Sequence, residues 1–309
     1  MATGTGFTPG EWGQVHCVQD VGWYRFRLGV FEGTVVWDGY IHHSYEGFYP
    51  DADPAEIARL KSVHRLPIDH IPMDINPVVM NTGDRLFLID AGAGRTLTWR
   101  GDMGRLIDNL GAAGIDPKDI DAVLMTHLHP DHAFGLIHPD GSATFPNAKL
   151  FCTDREWAEW TDPENLNRND FRSEWTGGAL EAVAPYRDRL RLFSVGETLF
   201  PGVSTFSVAG HTAGMCAYIF ESEGQKIVFT GDVCHHQVYD PAHPEWYFHM
   251  DYDTNPQQAA DAKTAIFAKV VTEGIRYHGY HFPFPGIGDV VPLGDGTYHF
   301  HPEAVAPRH

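Results

Sequence analysis

The sequence predicts an α/β fold built on two β-sheets, and three observations carry that expectation. Short apolar runs bounded by turn residues recur in two series, one before and one after a long helical stretch. Helical periodicities separate several of these runs. Residues of metal-ligand type fall at the ends of strands, in the manner of a scaffold that presents a site.

The first series reads as strands over Tyr24 to Leu28, Gly33 to Trp37, Pro77 to Met80 and Leu86 to Ile89, joined by turns such as Asp38-Gly39 and Asn81 to Asp84. Together they describe a mostly antiparallel or mixed sheet. Residues 40–76 interrupt this series with a segment rich in Tyr, His, Asp and Pro that contains one expected helix, Pro54 to Val63. A connection of that length is usually functional or a lid. Asp90 to Gly94 closes the fourth strand, the Leu/Ile/Leu spacing from Leu106 to Ala113 predicts a helix, and Asp121 to Met125 reads as a buried strand.

After another strand at Lys149 to Cys152, the stretch from Asp154 to about Arg191 is expected to be helical and carries Trp157, Trp160, Trp175 and Tyr186. Three tryptophans so placed are expected in the core or an interface more than in a substrate wall. The second series comprises Val203 to Val208, Ala217 to Phe220 and Lys226 to Phe229, followed by a helix from Asp253 to Val271 with Pro256 in its first turn. All 309 residues are read as one domain, with 40–76 a lid or dimer-contact connection and 282–309 a C-terminal extension.

The densest chemistry lies at Thr126 to His132, where His127, His129, Asp131 and His132 fall within six residues at the end of the Asp121 strand. Residues two apart on an extended segment project to one side, so His127 and His129 can close on one cation while Asp131 and His132 serve a neighbouring position. Imidazole and carboxylate together suit zinc, with iron, manganese and cobalt as competitors. A lone histidine in a chain that holds 19 needs no such reading, but this grouping does. His211, Asp232 and His281 supply further candidates after later strands.

The composition narrows the partners. Net charge is −19, from 41 acidic against 22 basic residues, and no basic cluster interrupts it. The cationic footprint needed for nucleic acid is missing, which favours a small neutral or weakly charged substrate. No apolar run approaches the roughly 18 residues of a membrane span. The first residues lack the basic start and apolar core of a secretion signal, so the chain reads as a soluble cytoplasmic protein. Cys17, Cys152, Cys216 and Cys234 show no paired spacing and read as reduced thiols, with Cys234 expected to be a small buried side chain.

The ordered set Thr126 to His132 (THLHPDH), Gly210 to Gly214 (GHTAG), Thr230 to Asp232 (TGD) and the late His281 resembles the metallo-β-lactamase-fold hydrolases over roughly residues 20–305. The resemblance implies an αββα sandwich, two mixed β-sheets flanked by helices, with a dinuclear site on one edge. It implies a first metal held by His127, His129 and His211, a second by Asp131, His132 and His281, and Asp232 bridging both. Asp90 is then expected to orient a ligand from behind. Two divalent ions, zinc foremost, would supply hydroxide as nucleophile, with Asp131 as a proton acceptor or donor.

The run His281 to Gly288 (HFPFPGIG) is similar to the branch that contains methyl parathion hydrolase and related lactonases and arylesterases. Met215 stands where glyoxalase II-type members carry a histidine, which argues against that activity. Homoserine-lactone lactonases of the superfamily tend to carry a tyrosine soon after the bridging aspartate, whereas here the stretch is Asp232 to His236 with Tyr239 further on. Phe282, Phe284 and the aromatics of 40–76 are candidate pocket walls, and His235 and His236 are candidates to assist a leaving group. The expected function is hydrolysis of an organophosphate triester, aryl ester or lactone. An iron-dependent single-domain dioxygenase and a β-lactam hydrolase are the alternatives on the same scaffold, and the long early connection makes a homodimer an expectation.

Overall fold

The computed structural model describes residues 21–94, 101–248 and 252–304; Cys17 and the rest of the first segment lie outside them. Two seven-stranded sheets form the body. The first runs, edge to edge, through Trp23–Leu28, Phe31–Val36, Val78–Asn81, Leu86–Ile89, Ala122–Leu124, Lys149–Thr153 and Leu190–Phe193. It is antiparallel as far as Leu86–Ile89 and parallel beyond. The second runs through Thr198–Phe200, Val203–Ser207, Cys216–Ser222, Gln225–Phe229, Arg276–His278, Ile287–Pro292 and Tyr298–Pro302, with one parallel pair at Gln225–Phe229 and Arg276–His278.

The pleat explains why these strands are apolar almost throughout. Successive side chains point to opposite faces, and here both faces of each sheet are covered. Phe87, Ile89, Ala122, Leu124 and Phe151 point inward to meet Tyr218, Phe220, Ile227 and Phe229 of the second sheet. Their neighbours Leu88, Val123, Leu150 and Cys152 face outward, under the helices Leu106–Ala112 and Phe171–Val183. On the far side Ile219, Val228 and Tyr277 pack against Ile266, Phe267 and Val270 of the helix Pro256–Glu273. That helix starts on an Asn255 cap whose side chain accepts from Gln258 N and stops at Gly274, which takes a left-handed φ of 62°. The αββα sandwich is therefore the fold observed.

Two boundaries differ from expectation. Residues 154–191 do not form one helical stretch: Pro163 and Pro185 sit in short 3-10 turns, Asp162 and Asp170 cap fresh starts, and Leu190–Phe193 is a strand that completes the first sheet. Within the segment expected to be a C-terminal extension, 282–309, Ile287–Pro292 and Tyr298–Pro302 are instead the last two strands of the second sheet among the described residues. Both errors have one cause: short strands such as Leu190–Phe193 are paired by tertiary context and carry too few residues to show a period.

The 40–76 connection holds the strands Gly39–His43 and Ile71–Ile75, joined in a small sheet with Gly101–Asp102, and the helix Pro54–His64. It packs on its own chain: Phe48, Tyr49, Leu60, Ile71 and Met73 close with Tyr239, Trp246 and Phe248 into an apolar roof above one edge of the sandwich. No helix among the described residues is long and apolar enough to cross a membrane.

Two buried carboxylates tie the roof and the loops to this body. Asp240 pairs with Lys263 of the long helix and accepts from Tyr49 Oη at 2.9 Å and from the backbone N–H groups of His235 and His236 at 2.7 and 2.8 Å. Glu156, on the helix Asp154–Trp160, accepts from Leu128 N at 2.9 Å and from Thr212 Oγ1 at 2.5 Å, so one side chain joins two loops that are distant in sequence. Burial, with Glu159 nearby, pushes the Glu156 carboxyl up to about 8.

Lys263→Met leaves Asp240 buried without an opposing charge and is expected to lower the unfolding free energy by about 3–5 kcal/mol. Urea denaturation reads this directly, and a loss below about 1 kcal/mol would show the pair to be as weak as a surface one. Because the folded pKa of Glu156 exceeds its ordinary value of 4.5, the folded state binds the proton more tightly. Its stabilising share is complete below pH 4.5 and is lost as pH rises through about 8. Glu156→Gln keeps an acceptor for Leu128 and offers Thr212 an amide donor, so the melting temperature of the variant is expected to fall less steeply over that window.

Candidate metal centre

The strand Ala122–Leu124 ends three residues before His127, and the chain then turns through Leu128 and His129 into the short helix Pro130–Ala133. His129 takes an extended backbone (φ −65°, ψ 157°) as the helix N-cap, with Pro130 suited to the first helical position. This switch from extended to helical backbone sends His127 and His129 one way and Asp131 and His132 another. His211 follows the strand Val203–Ser207, Asp232 follows Gln225–Phe229 and His281 follows Arg276–His278. Close backbone approach is what lets the loops converge. A Cβ on Gly231 (φ 55°) would lie 2.6 Å from Thr126 Oγ1, and one on Gly210 (φ 148°) would lie 2.3 Å from Ala259 N.

All seven sequence-predicted metal-site residues meet at this edge, buried, in two groups. His127, His129, His211 and Asp232 offer atoms within 4.8 Å of one another, and Asp131, His132, Asp232 and His281 do the same. Asp232 belongs to both. Its Oδ2 lies 3.4 Å from His211 Nε2 and 3.8 Å from His127 Nε2, its Oδ1 lies 2.9 Å from His132 Nε2, and His281 Nε2 is 3.2 Å from both oxygens. His129 Nδ1 faces His211 Nε2 at 2.9 Å.

The outer nitrogens of the histidines are held from behind. His132 Nδ1 lies 2.8 Å from Asp90 Oδ2, His211 Nδ1 lies 2.7 Å from Asp253 Oδ1, and His281 Nδ1 lies 2.8 Å from the Asp74 carbonyl. Each of these partners accepts, so the neutral ring carries its proton on Nδ1 and turns the Nε2 lone pair inward. Nε2 of His127 and His132 and Oδ1 of Asp232 have no hydrogen-bond partner among the described residues. Buried polar atoms are rarely left so, and a ring of lone pairs and carboxylate oxygens is a fit for cations. Electrostatics agree. Burial and the neighbouring imidazoles hold His127 and His129 well below the usual histidine range, which keeps them neutral donors. Burial opposes charge on Asp232 and His132 too. It is outweighed for Asp232 by His132, His281 and His127, which hold the acid well below its usual range, and for His132 by the carboxylates of Asp232, Asp131 and Asp90, which lift it well above. A bound cation would stand in for that proton.

Asp90 lies behind His132. Besides His132 it accepts from Thr126 N and Thr126 Oγ1, each at 2.7 Å, and its own backbone takes a left-handed φ of 56°. Asp253, Asp74, Asn76 and Tyr280 carry no motif and were not anticipated. Asn76 Nδ2 donates to the carbonyls of Tyr280 and Phe282, and Tyr280 Oη donates to the Asp131 carbonyl while its ring stacks on His132 at 3.9 Å. Only proximity in the folded chain reveals these roles.

Above the two groups opens a cavity of about 530 Å³. Its walls include Ile41, Phe48, Met73 and Phe248 from the roof together with Trp175 and Tyr252, and no Lys or Arg lines it among the described residues. His235 is in the wall. Phe282 and Phe284 are not: Phe282 is buried against Tyr277 and Phe300, and Phe284 packs on the core between the sheets, so both brace the His281 loop. His236 turns away, its Nδ1 accepting from Val238 N at 3.1 Å. Trp160 and Trp175 both pack on His129; Trp160 is fully buried in the core, whereas Trp175 also faces the cavity. Cys234 is buried, as are Cys152 and Cys216.

Comparison with known proteins follows the same lines. An RNase J-like protein of Methanocaldococcus jannaschii is 27% identical over 149 residues, and subunit 3 of the cleavage and polyadenylation specificity factor of Dictyostelium discoideum is 29% identical over 127 residues. These matches take in 47% and 38% of this chain but only 32% and 16% of those proteins, so the chain spans a third or less of the curated relatives it matches. Among solved structures, the hydrolase AbOPH of the beta-lactamase superfamily superposes with a TM-score of 0.85 at 29% identity, covering 93% of this chain and 99% of that one. AidC, a dizinc quorum-quenching lactonase, superposes with a TM-score of 0.84 at 24% identity over 93% of this chain and 99% of its own, a likeness of fold. The family model described as Metallo-beta-lactamase superfamily matches residues 70–263, which takes in Asp90, Asp253 and all of the clustered residues except His281. On that match, and on a sandwich shared nearly end to end with a hydrolase of the same group, this chain belongs to the metallo-beta-lactamase superfamily.

Proposed function

We propose that this chain is a dinuclear metal-dependent hydrolase of small, apolar, ester-type substrates: organophosphate triesters, aryl esters or lactones. The observation that carries the reading is Asp232, a buried carboxylate whose oxygens reach donors of both groups. The three-histidine group with an acidic fourth donor and the two-histidine, two-carboxylate group both suit zinc. Bound there, two divalent ions would lower the pKa of a shared water toward neutrality and polarise the carbonyl or phosphoryl oxygen of the substrate.

The residues of the chain then have separable tasks. His127, His129 and His211 present ring nitrogens on one side, while Asp131, His132 and His281 close the other. Asp131, with Oδ2 3.3 Å from His281 Nε2, borders the cavity and is placed to take or return the proton of the attacking water. Trp175, Phe248 and Phe48 exclude water and offer flat apolar surface to an acyl chain or aryl group. The same lining, together with a net charge of −19, argues against a polynucleotide: nothing described there pairs with a run of phosphates. The ribonuclease-type relatives share a part of the chain only.

The test is side-by-side hydrolysis of a phosphotriester, a homoserine lactone and an aryl ester by zinc-reconstituted protein, with His127→Ala as the blank. A preference for one of them that vanishes in the variant is the expected outcome, with two zinc ions per chain by elemental analysis. Silence across the panel with metal bound would overturn the reading. Asp253→Asn should leave the fold intact and weaken zinc binding by about 10–100-fold, because the amide no longer fixes the His211 tautomer. Competition with a chromogenic chelator measures this, and an unchanged affinity would remove Asp253 from the site.

A further inference from the structure

We propose that Glu46 makes the cavity selective for esters whose alcohol part carries a positive charge, a quaternary or protonated amine, at the end remote from the reacting bond. This narrows the substrate class of the hydrolase reading and rests on that reading. Three carboxylates line the cavity: Asp131, Asp232 and Glu46. The first two belong to the donor groups, where bound cations would answer their charge. Glu46 belongs to neither group and makes no ion pair among the described residues. No Lys or Arg among those residues lines the same space. His42, also in the lining, is held below the usual histidine range by burial and by His70, so it supplies no positive charge at neutral pH. One negative charge is therefore left over, and it faces the space that a substrate would fill.

The turn that follows the strand Gly39–His43 sets where this charge stands. Glu46 is exposed, its backbone N–H donating to Ser44 Oγ at 3.1 Å, while Phe48 two residues on is buried in the roof. The metal-site donors are buried, so a substrate whose reacting bond lies over them turns its far end past Glu46 toward solvent. Much of the remaining wall is aromatic. Trp175 and Tyr252 stack with centroids 5.4 Å apart and planes 15° apart, and Phe248 stacks on Tyr252 at 5.7 Å. Aromatic faces attract cations, and more strongly where water is excluded. Rings and carboxylate thus favour the same kind of group, an ammonium with apolar substituents. A neutral ester gains nothing from Glu46, and an anionic one is repelled. The net charge of −19 adds to the effect by raising the local concentration of cations. The acid released by hydrolysis is an anion, which the same carboxylate repels from the mouth.

The test uses a phenyl acetate bearing a para trimethylammonioethyl group and its uncharged isostere bearing a para dimethylbutyl group. The two differ by one charge, which two methylenes insulate from the ester. The ratio of their kcat/KM values is measured in zinc-loaded wild type, Glu46→Gln and Glu46→Lys. Each preparation is its own reference, so any loss of folded or metal-loaded protein cancels. Expected is a ratio of about 10 in favour of the cation in wild type at low ionic strength, lower by about three- to fivefold in Glu46→Gln and lower again in Glu46→Lys. Salt at about 0.5 M should shrink the wild-type ratio. Calorimetric binding of benzyltrimethylammonium to the zinc-loaded proteins reads the same preference without turnover and should weaken by a similar factor in Glu46→Gln. A wild-type ratio near one, or a ratio and an ammonium affinity that both substitutions leave unchanged, would overturn the proposal. The parent reading fails separately, if neither ester is cleaved or if hydrolysis survives His127→Ala, and the calorimetry then still decides whether Glu46 selects for a cation.

Discussion

Everything at the active edge answers to one constraint: seven side chains that water would normally solvate are packed in the interior, where unpaired polar groups are costly. The chain meets it in layers. Three of the histidines, His132, His211 and His281, have their outer nitrogens occupied by Asp90, Asp253 and the Asp74 carbonyl. Behind those sit Thr126, Asn76 and Tyr280, which fix the loops themselves. What this arrangement leaves open is the inward-facing ring of lone pairs and carboxylate oxygens, a deficit that positive charge resolves. Glycines at 210 and 231 follow from the same demand, because the loops can share these donors only if their backbones nearly touch neighbouring elements.

Much of this was legible in the sequence, and the limits are physical. The strands that flank the donors are apolar on both faces and bounded by turns, so Leu86–Ile89, Lys149–Thr153 and Gln225–Phe229 stood out. The donors stood out because His127 to His132 packs ligand types at a spacing that core packing does not require. Leu190–Phe193 and Tyr298–Pro302 were missed because an edge strand half exposed to solvent is defined by the partner it pairs with, here Lys149–Thr153 and Ile287–Pro292. Asp253, Asp74 and Asn76 were missed for a related reason. A single acid or amide ahead of a helix or strand has an ordinary local explanation, and its service to His211 or His281 exists only after the loops have met. Phe282 and Phe284 mark the opposite failure, in which nearness along the chain to a donor suggested a wall that the fold places in the core.

The roof and the floor of the site come from different parts of the protein. The floor is built from loops at the ends of sandwich strands, each gripped by several hydrogen bonds. The roof is residues 40–76 with Tyr239, Trp246 and Phe248, an apolar layer whose side chains meet one another far more than they meet the donors. Asp240 is the joint between them, since it takes Tyr49 from above and His235 from below while its charge is balanced by Lys263 in the body.

That division separates two evolutionary pressures. Replacing Ile41, Phe48 or Met73 by another apolar residue reshapes the cavity and disturbs no atom that faces the donors, so substrate preference can drift through small packing changes while the reaction machinery stays fixed. New specificities on this chain are accordingly within reach of one or two substitutions in the roof, and a change at Asp240 is the one that would unsettle both halves at once.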